Sequence, residues 1–101
     1  MKKAIAKENL SEKEQLLTSK LRAFGSIPRL KMMMCLGQSP KNVSQLIGNC
    51  GLTQSAVSQH LSKLKAAGLL QCDCKGRERI YSLTDKQTAQ ISKFLFDLLS
   101  K

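Results

Sequence analysis

Between Gln15 and Cys72 the sequence contains no aspartate and no glutamate, while Lys20, Arg22, Arg29, Lys31, Lys41, Lys63 and Lys65 all fall inside that stretch. The formal net charge is +10. A long acid-free segment in a folded domain keeps negative charge away from a polyanionic partner. The plainer alternative is a merely basic, soluble protein, since net charge speaks to partners and not to fold. Long apolar runs are also missing. None reaches the length of a membrane span. The basic opening Met1-Lys2-Lys3-Ala4-Ile5-Ala6 is not followed by an apolar run of signal length. A cytoplasmic protein with no membrane partner is expected. In that compartment the four cysteines read as thiols, and a structural disulfide framework is not expected. There is one histidine, no glycine-rich phosphate loop and no pair of acids in a plausible pocket. Nothing points to an enzyme or to a cofactor. At 101 residues the chain is one domain's worth and buries a single modest core.

What is present is organised around Leu52 to Leu70. Thr53 is placed to cap a helix. Val57, Leu61 and Leu64 recur at helical spacing as an apolar stripe. The opposite face carries Gln54, Ser55, Ser58, Gln59, Ser62 and Lys63 and no acid. A helix made only for solubility usually carries Glu–Lys pairs there. An acid-free face of Gln, Ser and Lys suits a helix in the major groove, where amides and hydroxyls reach base edges and ammonium groups reach phosphates. Gly68 ends the helix, and Leu69 and Leu70 return to the core.

In chain order, residues 1 to 10 are expected to be a flexible basic N-terminus, and residues 11 to 101 a single winged-helix domain for DNA binding and dimerisation. Ser11 and Glu14 form a capping box. The helix they open carries Leu17, Leu21 and Phe24 on one face, with Leu16 beside them, and stops at Gly25. Ser26 caps a second helix with Pro28 in its first turn. It holds Leu30, Met33, Met34 and Leu36, with Arg29 and Lys31 outside. The Met32-Met33-Met34 run reads as adaptable core filling. Asn42, with Gln45 three residues on, caps a short helix from Val43 to Asn49. The turn Asn49-Cys50-Gly51 then leads into the organising helix, a helix-turn-helix arrangement. After Gly68, Leu70, Cys72 and Cys74 alternate with Gln71, Asp73 and Lys75, a period of two. Lys75 to Glu78 is a turn and Arg79 to Leu83 a second strand, giving a hairpin with a basic tip. Thr84 to Gln87 caps a last helix whose stripe is Ile91, Phe94, Leu95, Leu98 and Leu99. The expected fold is mainly α: a winged helix-turn-helix of about five helices with a two-stranded β-hairpin wing.

From Ser26 to Leu83 the residues resemble the ArsR/SmtB family of winged-helix repressors. The likeness runs from Arg29-Leu30 through Val43-Ser44-Gln45-Leu46 to Leu52-Thr53-Gln54-Ser55-Ala56-Val57-Ser58-Gln59-His60-Leu61. It continues through Leu64-Lys65-Ala66-Ala67-Gly68-Leu69-Leu70 and a wing with Gly76 and Tyr81. The resemblance implies a homodimer built by the first and last helices, an inverted-repeat operator in double-stranded DNA, and release by an inducer. There are departures. Where many members carry Cys-Val-Cys at the start of the third helix, this chain has Asn42-Val43-Ser44. The last helix has Asp85 and Asp97 nearby but no His and no Glu. Neither usual family metal site carries over, no metal is expected, and the inducer is not readable. Thiol-switching relatives pair a cysteine of the second helix with one of the last. Cys35 lies near the former place, but the last helix has no cysteine.

The residues expected to meet DNA are Gln54, Ser55, Ser58, Gln59, His60, Lys63, Lys65, Lys75, Arg77 and Arg79. The four Gln and Ser would read bases and the cations would hold phosphates, with His60 at the core edge or on a phosphate. Leu17, Leu21, Ile91, Phe94, Leu95 and Leu98 are expected in a dimer interface. Cys35 and Cys50 read as small buried hydrophobes. Cys72 and Cys74 would share one strand face, a possible redox or thiophilic pair, though a closed zinc site needs four ligands. The rival reading is a winged-helix protein-interaction module without DNA binding.

Overall fold

In the computed structural model, which describes residues 10–101, the chain forms five helices and one antiparallel hairpin. The order is α1 (Glu12–Ala23), α2 (Ile27–Gln38), α3 (Val43–Cys50), α4 (Gln54–Ala66), β1 (Leu70–Lys75), β2 (Glu78–Leu83) and α5 (Gln87–Leu99). The expected basic leader lies, but for Leu10, outside the described residues. Local chemistry sets most of these boundaries. Ser11 and Glu14 close a capping box at α1, and Asn42 and Gln45 close another at α3. Ser26 and Thr53 cap α2 and α4 through their side chains. At the end of α4, Gly68 at φ 80° lets its own N–H reach Lys65 O and that of Leu69 reach Leu64 O. This double closure turns the chain into β1.

The core lies where α2, α3 and α4 meet under the hairpin. Leu30, Met32, Met33 and Leu36 of α2 meet Leu46 of α3, Val57, Leu61 and Leu64 of α4, and Tyr81 of β2. Met32 is fully buried and Met34 is only half-buried, a shift of one step within the methionine run. The wing is pinned at its base and along one flank. At its base the Thr84 hydroxyl donates to Gly68 O at 2.8 Å. On its flank Lys41 and Tyr81 exchange backbone hydrogen bonds of 3.0 and 2.8 Å.

Three expectations need correction, and one further residue, Lys41, sits where no local pattern places it. Thr84 does not cap α5, because its hydroxyl is taken by Gly68; the Asp85 carboxylate accepts the Gln87 N–H instead. Arg29 does not point away. Its guanidinium folds back and donates to Ala23 O at 3.1 Å and Arg22 O at 2.9 Å, closing the end of α1. Lys41 is buried, its ammonium donating to Cys35 O, Ser39 O and Ser39 Oγ at the carboxyl end of α2, where the helix dipole favours a cation. Cys35 and Cys50 are not separate apolar fillers; they form a disulfide between α2 and the last residue of α3. Both thiols had been placed inward, and the packing of the two helices brings their Cα atoms to 6.3 Å, within bridging range.

Candidate nucleic-acid interface

α3 and α4 are joined by a turn through Gly51, which takes a left-handed φ of 67°. A β-carbon disfavours that conformation, so the sharp angle between the helices depends on glycine here. α4 is held from below by Val57, Leu61 and Leu64, all buried. Its other side carries Gln54, Ser55, Ser58, Gln59, Ser62 and Lys63, every one exposed. The amides and hydroxyls therefore stand on a rigid rod with no acid beside them. Lys63 and Lys65 sit in its last turn, where the dipole also favours positive charge.

The expected phosphate-binding residues divide into two groups. Lys65 and Arg79 share a cleft of about 290 Å³ between α4 and the wing, with Ser58 and Ser62 on its wall. Arg77 and Arg79 flank a second cleft with Asn42, Ser44 and Glu78. Glu78, an acid near the tip, accepts from Asn42 Nδ2 at 3.0 Å. Its charge is thus engaged at the start of α3. Lys75 and Arg77 are exposed on either side of Gly76, which takes φ 64° in the two-residue turn. Lys63 lies elsewhere, beside Arg22 and Arg29 around an open cavity of about 380 Å³. Arg22 and Arg29 were not among the expected contacts. Their approach to Lys63 depends on the α1–α2 corner folding onto α4, which no local pattern announces. Among the described residues the only ion pair is Lys93–Asp97 on α5, so the cations of α4 and the wing have no acid partner in these residues.

His60 faces this second group. Its Nδ1 lies 3.5 Å from an Arg29 guanidinium nitrogen. Partial burial, then the charges of Arg29 and Lys63, hold its pKa below the ordinary 6.5. The neutral ring accepts, so His60 braces α4 against α2.

Cys72 and Cys74 lie on one face of β1, opposite Tyr81 and Arg79. Cys72 is half-buried and Cys74 exposed. Among the described residues no three His, Cys, Asp or Glu side chains gather as a metal site.

The expected dimer residues stand apart from all of this. Leu17, Leu21, Ile91, Phe94 and Leu98 are between 48% and 72% exposed, and Leu95 is half-buried against the core. α5 turns a different face inward. Thr88 and Ser92 are buried, and the Ser92 hydroxyl donates to Thr88 O. A β-carbon on Gly37 would collide with Ala89 Cβ, so α2 and α5 pack backbone to backbone through small residues.

Residues 28–71 match the model of the bacterial regulatory protein arsR family. The chain belongs to the ArsR/SmtB family of transcriptional regulators. It is 38% identical over 71 residues to the transcriptional repressor SmtB of Mycobacterium tuberculosis, covering 70% of this chain and 53% of that protein. This chain thus spans about half the length of that relative. Among solved structures, the transcriptional repressor PagR of Bacillus anthracis is 32% identical with a TM-score of 0.69, covering 80% of this chain and 93% of that one. NolR of Sinorhizobium fredii is 29% identical with a TM-score of 0.71, over 88% and 93%. The winged helix-turn-helix fold expected from the sequence is the fold of this family. Regulators, not enzymes, are what the chain is similar to.

Proposed function

We propose that this chain is a homodimeric, sequence-specific DNA-binding repressor that acts on an inverted-repeat operator in the cytoplasm. One observation carries the reading: α4 sits second in a helix-turn-helix, its exposed face has amides, hydroxyls and a lysine but no acid, and a basic wing rises beside it. Gln54, Ser55, Ser58 and Gln59 read base edges, and the Gln amides suit adenine. Lys63, Lys65, Lys75, Arg77 and Arg79 hold phosphates, with His60 behind them. The exposed stripe of α5 and the Leu17–Leu21 edge of α1 pack on a two-fold mate, which removes an apolar surface too large for solvent. The two copies of α4 then stand about 34 Å apart, one turn of DNA.

The usual family metal sites are absent on this reading, since Asn42 and Ser44 replace thiols and α5 has no imidazole. Zinc, cadmium or nickel leaves DNA affinity nearly unchanged. Cys72 and Cys74 stay a candidate thiophilic pair in the wing, completed only by ligands from beyond the described residues. A mobility shift on genomic DNA across a salt series tests the function. Affinity that falls steeply with salt and concentrates on particular fragments supports it; no retardation at low salt refutes it and favours a protein-interaction module.

A further inference from the structure

The Cys35–Cys50 bridge sits at the joint between the helix-turn-helix and the scaffold beneath it. Cys35 is half-buried in α2, the helix that packs on α5. Cys50 is the last residue of α3, one residue before the Gly51 turn into α4. The bond therefore fixes the angle of α3 directly and that of α4 through the three-residue turn Gly51-Leu52-Thr53. It reaches the wing as well. The Lys41 ammonium donates to Cys35 O at 2.8 Å, and the Lys41 backbone pairs with Tyr81 of β2. The bridge is not sealed in the core. It borders an open cavity of about 390 Å³ whose rim includes Lys31, Gln38, Asn49 and Phe96. Both cysteines line that cavity, which gives a small oxidant or a dithiol reductant a route toward the bridge.

We propose that Cys35 and Cys50 are a reversible dithiol–disulfide site whose oxidised form holds α3, α4 and the wing in the orientation for DNA. The oxidant is hydrogen peroxide. Cys35, the less buried residue of the two, attacks the peroxide as its thiolate. An S–O bond forms, the O–O bond breaks, and the departing oxygen takes a proton and leaves as water. Cys50 then attacks the Cys35 sulfenic sulfur. The S–S bond forms, the S–O bond breaks, and the hydroxyl leaves as a second water with the Cys50 proton. Two thiols have lost two electrons to one peroxide. A dithiol reverses the bridge by exchange through a mixed disulfide. The oxidised state binds more tightly because less ordering of the helix pair remains for DNA binding to do.

The DNA readout rests on the function proposed above; the bridge itself does not. The test compares the chain after hydrogen peroxide treatment with the chain after dithiothreitol reduction. Peptide mapping should find the tryptic segments 32–41 and 42–63 joined after peroxide. Amide exchange across Val43–Cys50 should be slower in the oxidised form. Sheared genomic DNA should be bound about 3–10-fold more tightly by the oxidised form. Cys35→Ser/Cys50→Ser should match the reduced wild type under both treatments. Cys72→Ser/Cys74→Ser should keep the full response. Equal exchange in the two states, higher DNA affinity in the reduced form, or a Cys72–Cys74 link formed in place of the expected one overturns the proposal. If neither form binds DNA, the repressor reading fails on its own, and the exchange difference still decides for or against the bridge.

Discussion

α4 and α5 are both 13-residue helices with one face buried and one open, and their chemistry is inverted. α4 buries Val57, Leu61 and Leu64 and presents Gln, Ser and Lys. α5 buries Thr88 and Ser92 and presents Ile91, Phe94, Leu98 and Leu99. The first pattern is that of a helix completed by its own domain, leaving a polar face for a polyanion. The second is that of a helix whose apolar stripe its own domain does not cover. Small residues let α5 lie close on α2 and leave its large side chains for another surface. Burial thus separates an open polar face from an open apolar one, which the proposed function assigns to nucleic acid and to a second copy of the chain.

The largest effect should come from breaking the α5 side of the comparison. Phe94→Asp puts a charge in the middle of the open stripe and should yield monomers by light scattering. Operator affinity should fall about 10²–10⁴-fold, since two half-sites no longer act together. Helical content by circular dichroism should hold, because Phe94 is 67% exposed in the single chain.

On the α4 side, Gln59→Ala should cost about 1–3 kcal/mol at the operator and relax preference at one base per half-site. Competition between operator and mutated duplexes measures this. Unchanged specificity with an intact fold would remove Gln59 from the reading face. Arg77→Ala at the wing tip should act more weakly and on all sequences alike. It should lower the slope of log affinity against log salt by about 1.

The smallest effect concerns His60. Its folded pKa lies below the ordinary 6.5 through partial burial and then the charges of Arg29 and Lys63. The unfolded chain therefore binds the proton more readily than the folded one. Stability should be full above the ordinary histidine range and decline slightly as pH falls below it. Thermal melts of wild type and His60→Gln across that range should show this slope in the first and lose its histidine part in the second.

The order of these elements was legible because their signals are local. Ser11, Ser26, Asn42 and Thr53 each cap a helix within three residues of themselves, and Val57, Leu61 and Leu64 declare their face by spacing alone. What was hidden is what depends on helices meeting. Arg29 looked external because spacing does not reveal that the α1 carbonyls lie above it. Nothing in the pattern around Lys41 shows that the end of α2 and the wing close over it. Thr84 matched a capping pattern and was claimed by a carbonyl 16 residues away. Cys35 in the second helix and Cys50 in the turn after the third were both assigned inward positions. That pairing was the available signal, and compartment reasoning outweighed it. In the candidate interface the exposed positions of α4 follow from the sequence pattern, whereas the grouping of Lys65 with Arg79 and of Lys63 with Arg22 and Arg29 needed the tertiary fold.

The central claim is that two copies of α4, joined through α5, read one inverted repeat. Selection of bound fragments from genomic DNA by the purified chain, followed by sequencing, tests it most directly. The account predicts a shared motif with two-fold symmetry and half-site centres about one helical turn apart, 10–10.5 base pairs or a multiple. Bound fragments without a common motif, or a motif lacking two-fold symmetry, would contradict it.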